Sequence, residues 1–369
     1  MKKILFITMC MLLLAGCAEK EKMQKSVKEN VAEEADGGNK QEKEEKTQNI
    51  QKVWKEQLTE KVSADFTIEQ EIQKEYPIYD VEYPVYDLVS VKETLFPEDK
   101  SEYTKSEEES NGYKNMVLQT QSGISMMSSP GYLSASTQES LYYGEFIYLN
   151  EEENDSRDAE LAFMSRKDIE ELCRNYLQKV GDFSVYSAEI IAYTGEYLEI
   201  ASKKAKEEVR MQYERDNWTE EEEAYLVKFR IEVSNLPVLS EMNGLVTGKE
   251  MIPVECVMLV NRHGVQDFYI KMPIAIEEIE CVEIIEVSQA LEAIKNRFDI
   301  IVMDNDMKIN RAELMYVLNE AGIDKYQLVP SWAFYMEEKI TYETNAGEEK
   351  TVDRNHVYFI NAVTGEIIN

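Results

Sequence analysis

The segment Leu328–Asn369 limits the possible folds more than any other part of the chain. Leu328-Val329-Pro330-Ser331-Trp332-Ala333-Phe334-Tyr335 is aromatic and apolar and reads as a strand, as does His356-Val357-Tyr358-Phe359-Ile360. Asn361-Ala362-Val363-Thr364-Gly365 then has the composition of a tight turn, with Gly365 where φ > 0 is needed, and Glu366-Ile367-Ile368-Asn369 returns. Strands this apolar need a cover on at least one face. Upstream, Ser288 is positioned to cap a helix carrying Ala290, Leu291, Ile294 and Phe298, and Ile309–Leu318 reads as a strand whose composition would equally suit a helix.

A similar plan occurs earlier, in residues 161–275. Ser165 with Asp168 resembles a capping box, although Glu or Gln is the usual partner. Ile169, Leu172, Cys173, Tyr176, Leu177 and Val180 form a helical apolar stripe that Gly181 ends. Val185–Tyr193 reads as a strand and Gly195–Glu214 as a second amphipathic helix. Tyr225, Val227, Phe229, Ile231 and Val233 alternate with Lys228, Arg230 and Glu232, as in a half-buried antiparallel strand. Val254–Val260 follows, with a tip at Asn261-Arg262-His263-Gly264. The expected fold class is therefore α+β. Two tandem units, 161–275 and 276–369, would each pack a helix on a small antiparallel sheet, after a β-rich region (51–160) and a disordered tether.

The C-terminal residues carry a resemblance. Ser288 at a helix start, Pro330 with Trp332, and Asn361-Ala362 with Thr364-Gly365-Glu366 resemble the C-terminal module of the YycH/YycI regulatory proteins and, more loosely, PepSY domains. The resemblance covers about the last 90 residues. It implies a non-catalytic extracytoplasmic protein that modulates an envelope sensor kinase by contact. A PepSY-like inhibitor or chaperone of a secreted peptidase is the alternative it implies, and an envelope hydrolase the third reading. Those regulators keep an N-terminal membrane helix, and here the sequence departs from them.

Lys2-Lys3 precede a short apolar run, Ile4–Leu14, and Leu14-Ala15-Gly16-Cys17 matches a bacterial lipobox. A run this short reads as a signal peptide (1–16) removed before Cys17, not as a membrane span. Diacylglycerol on the Cys17 thiol, with further palmitate-type acyl chains, would anchor the chain at the extracytoplasmic face of the cell membrane. Residues 17–50 are rich in Lys, Glu, Gln and Asn and cannot bury enough surface to fold. As a flexible coil such a tether spans on the order of 30 Å.

Within 51–160, Trp54, Leu58 and Val62 have helical spacing. Tyr76-Pro77-Ile78-Tyr79-Asp80 and Tyr83-Pro84-Val85-Tyr86-Asp87 form a small repeat, read as an edge or wrapping strand that its tyrosines pack down. Lys92–Asn111 and Gly123–Ser129 read as loops, Val117–Gln121 and Leu141–Leu149 as strands, and Pro130-Gly131 as a turn.

The formal charge of −32 argues against nucleic acid and anionic lipid headgroups as partners. The five cysteines form no disulfide framework and no zinc spacing. His263 and His356 lie outside any metalloprotease motif, and no nucleophile elbow or phosphate loop is present. Asp304-Asn305-Asp306 opens like an EF-hand loop, but position 6 is Ile309 and position 12 is Met315, which removes the glycine and the bidentate glutamate. The sequence thus gives no catalytic, metal or cofactor residue. Cys17 is its one site, with the membrane and an envelope protein as expected partners.

Overall fold

The computed structural model describes residues 52–369 except 111–112, 145–153, 182, 209–214, 216, 240–253, 272–274, 323–324, 344–348 and 369. The chain starts with β1 (Lys52–Gln57), β2 (Val62–Ile68), β3 (Glu75–Glu82), α1 (Leu88–Leu95), β4 (Tyr103–Ser110) and β5 (Tyr113–Thr120). Next come β6 (Ser125–Ser129), β7 (Tyr132–Ser136), α2 (Ser140–Tyr143), α3 (Arg166–Gly181), β8 (Val185–Tyr193) and α4 (Gly195–Glu208). The middle is β9 (Ala224–Val233), β10 (Leu236–Pro237), β11 (Glu255–Asn261), β12 (Gly264–Lys271) and β13 (Ala275–Glu283). The chain ends with α5 (Val287–Asp299), β14 (Met307–Gly322), β15 (Lys325–Glu343) and β16 (Glu349–Asn361).

These strands make two large sheets, which overturns the expectation of two helix-on-small-sheet units. Strand accounts for 52% of the structure and helix for 20%, and one sheet curls into a half-barrel. The seven-stranded sheet runs β1-β2-β14-β15-β3-β13, with β16 also on β15. The nine-stranded sheet runs β10-β9-β11-β12-β7-β6-β5-β4, with β8 also on β9. Strands from the N-terminal region therefore complete both sheets: β2 pairs in parallel with β14, β3 lies between β15 and β13, and β7 pairs with β12. A single apolar core contains Phe66, Leu291, Trp332 and Phe334 as well as Ile169, Phe229 and Met258. Both sheets share it, and two smaller buried clusters lie on their other faces.

Individual elements follow from their residues. α5 starts with a capping box between Glu286 and Gln289, so its N-cap lies two residues before the Ser288 expected. Its buried face is Ala290, Leu291, Ile294 and Phe298. Trp332 donates from Nε1 to the Ile285 carbonyl at 3.0 Å, fixing the helix start to β15. Phe359 does not share the face of Trp332 and Phe334. It packs instead on the opposite side, with Leu239, Met315, Val317 and Ala333, because it pairs with Ala333, and paired residues share a face. β9 is buried on both faces, not half-buried. Val227 and Phe229 face the shared core, while Ala224 and Leu226 meet Leu198 and Ala201 of α4.

Other local expectations are corrected too. Trp54, Leu58 and Val62 lie on β1, β2 and their connection, not on a helix. Lys92–Asn111 contains α1 and β4, and Ser125–Ser129 is strand β6, whose Met126 and Ser128 point inward. Ser140–Tyr143 is helical where a strand was expected, and the rest of that segment to Leu149 lies outside the described residues from 145 onward. The end of the expected helix Gly195–Glu214 lies outside them as well. β3 pairs on both edges along part of its length, with Tyr76 and Tyr79 buried. At the C-terminal turn Gly365 has φ 77°, and its N–H donates to the Asn361 carbonyl at 2.8 Å.

Candidate functional site

The residue singled out by the sequence, Cys17, lies outside the described residues. Within them, four places bring reactive or charged groups together.

The first is the junction of the two sheets. The chain following β10 reaches β14, where the Leu239 N–H donates to the Tyr316 carbonyl at 2.8 Å. Beside it, Arg230 of β9 donates from Nη1 to Glu313 Oε1 of β14 at 2.9 Å, and both side chains are buried. Arg311 donates to the other oxygen of Glu313 at 2.7 Å. The Arg230 guanidinium lies 5.3 Å from the Tyr186 ring and that of Arg311 4.6 Å from Tyr335. Gln70 pairs both backbone groups of Leu314, accepting at 2.8 Å and donating at 2.9 Å. A buried pair of this kind gives little net stability but fixes which groups may meet. It is a structural joint, and sequence reasoning missed it because its two halves stand 83 residues apart.

The second is an open depression of about 480 Å³ at the start of α4, lined by Thr194, Gly195, Glu196, Trp218, Glu220 and Glu223 among others. The Gly195 N–H donates to Glu223 Oε1 at 3.2 Å, so a carboxylate of the chain already occupies the positive end of the helix. A Cβ on Gly195 would sit 2.7 Å from the Thr219 backbone, and this close approach is why glycine stands there. Three carboxylates line the hollow and repel an anionic ligand.

The third is the thiol region. Cys173 and Cys256 are buried, and desolvation pushes the Cys173 thiol up to about 12 and that of Cys256 well above its usual value. Thiols in this state are poor nucleophiles. They pack as small hydrophobes, whereas Cys281 is exposed.

The fourth is at His356 on β16, and His263 lies apart from it at the β11–β12 tip. His356 Nε2 lies 2.9 Å from Glu338 Oε2, and Asn305 donates to Glu338 Oε1 at 2.9 Å. These bonds, first from Asn305 and then from His356, hold the Glu338 carboxyl below its ordinary pKa. The His263 backbone N–H donates to Asn261 Oδ1 at 2.8 Å in its turn. Asp304 and Asp306 lead into β14 rather than a helix-flanked loop. Among the described residues no group of three or more His, Cys, Asp or Glu is placed to hold a metal ion.

No family model matches the chain, and no curated protein matches it. Among solved structures it is similar to an uncharacterized protein from Eubacterium rectale ATCC 33656, with a TM-score of 0.59 at 16% sequence identity. The match covers 86% of this chain and 93% of the other. At that identity the likeness concerns the fold: the two-sheet arrangement occurs in another chain of similar extent.

Proposed function

We propose that this protein is a non-catalytic lipoprotein of the cell envelope, anchored at the extracytoplasmic face by diacylglycerol on Cys17 and acting by contact with another envelope protein. The observation that carries the reading is Leu14-Ala15-Gly16-Cys17, placed directly after an apolar run opened by Lys2-Lys3. Contact rather than chemistry is supported by what the described surface offers. Its hollow is open and acidic, its core thiols are protonated, and its most developed polar cluster is locked between two sheets. The partner class, a sensor kinase, comes from the resemblance of Pro330, Trp332 and Asn361–Glu366 to the YycH/YycI module.

Replacing Cys17 tests the anchor. Cys17→Ser should abolish incorporation of a labelled fatty acid and shift the protein out of the membrane fraction, or leave it as an uncleaved precursor. Normal cleavage with an unchanged membrane fraction would sink the anchor. Photo-crosslinking in intact cells tests the partner: a membrane kinase supports the reading, and a secreted hydrolase replaces it with the inhibitor alternative.

A further inference from the structure

The most apolar exposed surface of the described residues lies where α5 hands over to β14. Ile300, Ile301 and Val302 follow the helix directly and are 79%, 39% and 96% exposed. The loop is held at both ends. Before it, Phe298 packs edge-on against the Tyr358 ring at 5.4 Å, and after it Asn305 bonds Glu338. It therefore sits on the face of the seven-stranded sheet that α5 covers.

That face continues past the sheet proper. β14 pairs with β15 only as far as Glu338, whereas β15 and β16 pair on to Glu343 and Glu349. The extension is a two-stranded arm. Alternation puts Ile340 and Tyr342 on the same side as Trp332, Phe334 and Met336, with Val352 and Lys350 directly opposite them. Tyr342 and Val352 are 45% and 40% exposed. The reverse side of the arm carries Lys339, Thr341, Asp353 and Glu349. One side thus carries Ile340, Tyr342 and Val352 between charged residues, and the other carries no large apolar side chain, although both face solvent. A ribbon of two strands is marginal by itself in water, and an apolar face on it calls for a cover.

Charge indicates the cover. The apolar loop is flanked by Asp299 and Asp304, both exposed. The apolar side of the arm carries Lys350 and Arg354, also exposed, with Arg354 only 3.9 Å from Glu338. The side chains of Asp299, Asp304 and Lys350 make no hydrogen bond or ion pair with a described residue. An apolar knob flanked by Asp299 and Asp304 and a strip of Ile340, Tyr342 and Val352 beside Lys350 therefore lie on one face, with Arg354 already held by Glu338. A two-fold axis places each knob on the other copy's strip and satisfies both at once.

We propose that this surface pairs two copies of the chain, with loop 299–304 of each seated on the Ile340–Tyr342–Val352 side of the other's arm. The pairing goes beyond the contact function above and is independent of lipid on Cys17, because all of its residues lie in the folded body.

Sedimentation velocity of the full chain, in detergent and with Cys17→Ser without it, tests the idea over a concentration series. A reversible two-chain species is expected in both. Val302→Asp, at a position exposed enough to leave folding alone, should weaken association at least tenfold with an unchanged melting curve. Lys350→Glu should weaken it as well, and adding Asp304→Lys should restore it by reversing the pair. A one-chain mass throughout the series overturns the proposal. So does a dimer indifferent to both single changes, or a Lys350→Glu defect that Asp304→Lys deepens. Capture of the surface by a different envelope protein, with no two-chain species, overturns it too.

Discussion

Glu313 is the residue whose loss should cost most. It accepts from Arg230 and Arg311 inside the joint between the sheets, and Arg230 already has Nε and Nη2 buried without an acceptor among the described residues. Glu313→Ala would leave a buried guanidinium with no counter-charge, an effect of roughly 3–5 kcal/mol. Arg230→Met combined with Glu313→Leu should recover most of that loss, because two apolar groups need no pairing. Chemical denaturation of the three variants checks this, and a double change as harmful as the single one would refute it. Asp99 gives a pH-dependent counterpart. Desolvation, the largest single influence, raises its pKa, but hydrogen bonds from Ser101 and Ser122 and the nearby Lys92 charge outweigh it and hold the carboxyl at about 2. Its folded-state pKa lies below the ordinary 3.8, so its stabilisation is complete above that value and is lost as pH falls through about 2. Asp99→Asn should melt well below the native chain at neutral pH, and the gap should close between about pH 4 and pH 2. A gap independent of pH would mean that the hydrogen bonds to Asp99 do not distinguish carboxylate from acid.

Elements with a strong period were legible in the sequence, and elements defined by distant neighbours were not. β8 coincides with the strand read at Val185–Tyr193, and the α5 face of Ala290, Leu291, Ile294 and Phe298 is the stripe read from spacing. Leu291→Ala should therefore cost about 2–5 kcal/mol, the range for emptying a well-packed core site, with calorimetry as the check. A loss below 1 kcal/mol would show that α5 merely lies on the sheet. β1 and β2 were misread because Trp54, Leu58 and Val62 fall on helical spacing by chance, while β2 takes its state from pairing with β14. β6 was hidden by its serines: Ser128 is fully buried and accepts from the Tyr86 N–H at 2.8 Å, a role that composition does not announce. The same limit applies to the sites. Leu14-Ala15-Gly16-Cys17 is a local pattern that a sequence can show, whereas Arg230 and Glu313 are neighbours only after folding.

For the whole molecule, strands from distant parts of the chain share one core, and Ile50–Asn369 forms one compact unit. β14, β15 and β16 rest on β2 and β3 as well as on α5, and Phe66 of β2 stacks edge-on with Phe334 at 6.2 Å. Residues 276–369 expressed alone should show no cooperative thermal transition, while the full chain should unfold in one step. A sharp melt of the fragment would restore the modular view. The parallel pairing of β2 with β14 also has a consequence in time. Val62 is translated long before Met307, its register mate. At about 5–20 residues per second, β2 waits on the order of tens of seconds for its neighbour to exist. The seven-stranded sheet cannot close during that interval. On the export proposed above, β2 and β3 would reach a narrow channel before β14 and β15 exist to pair with them.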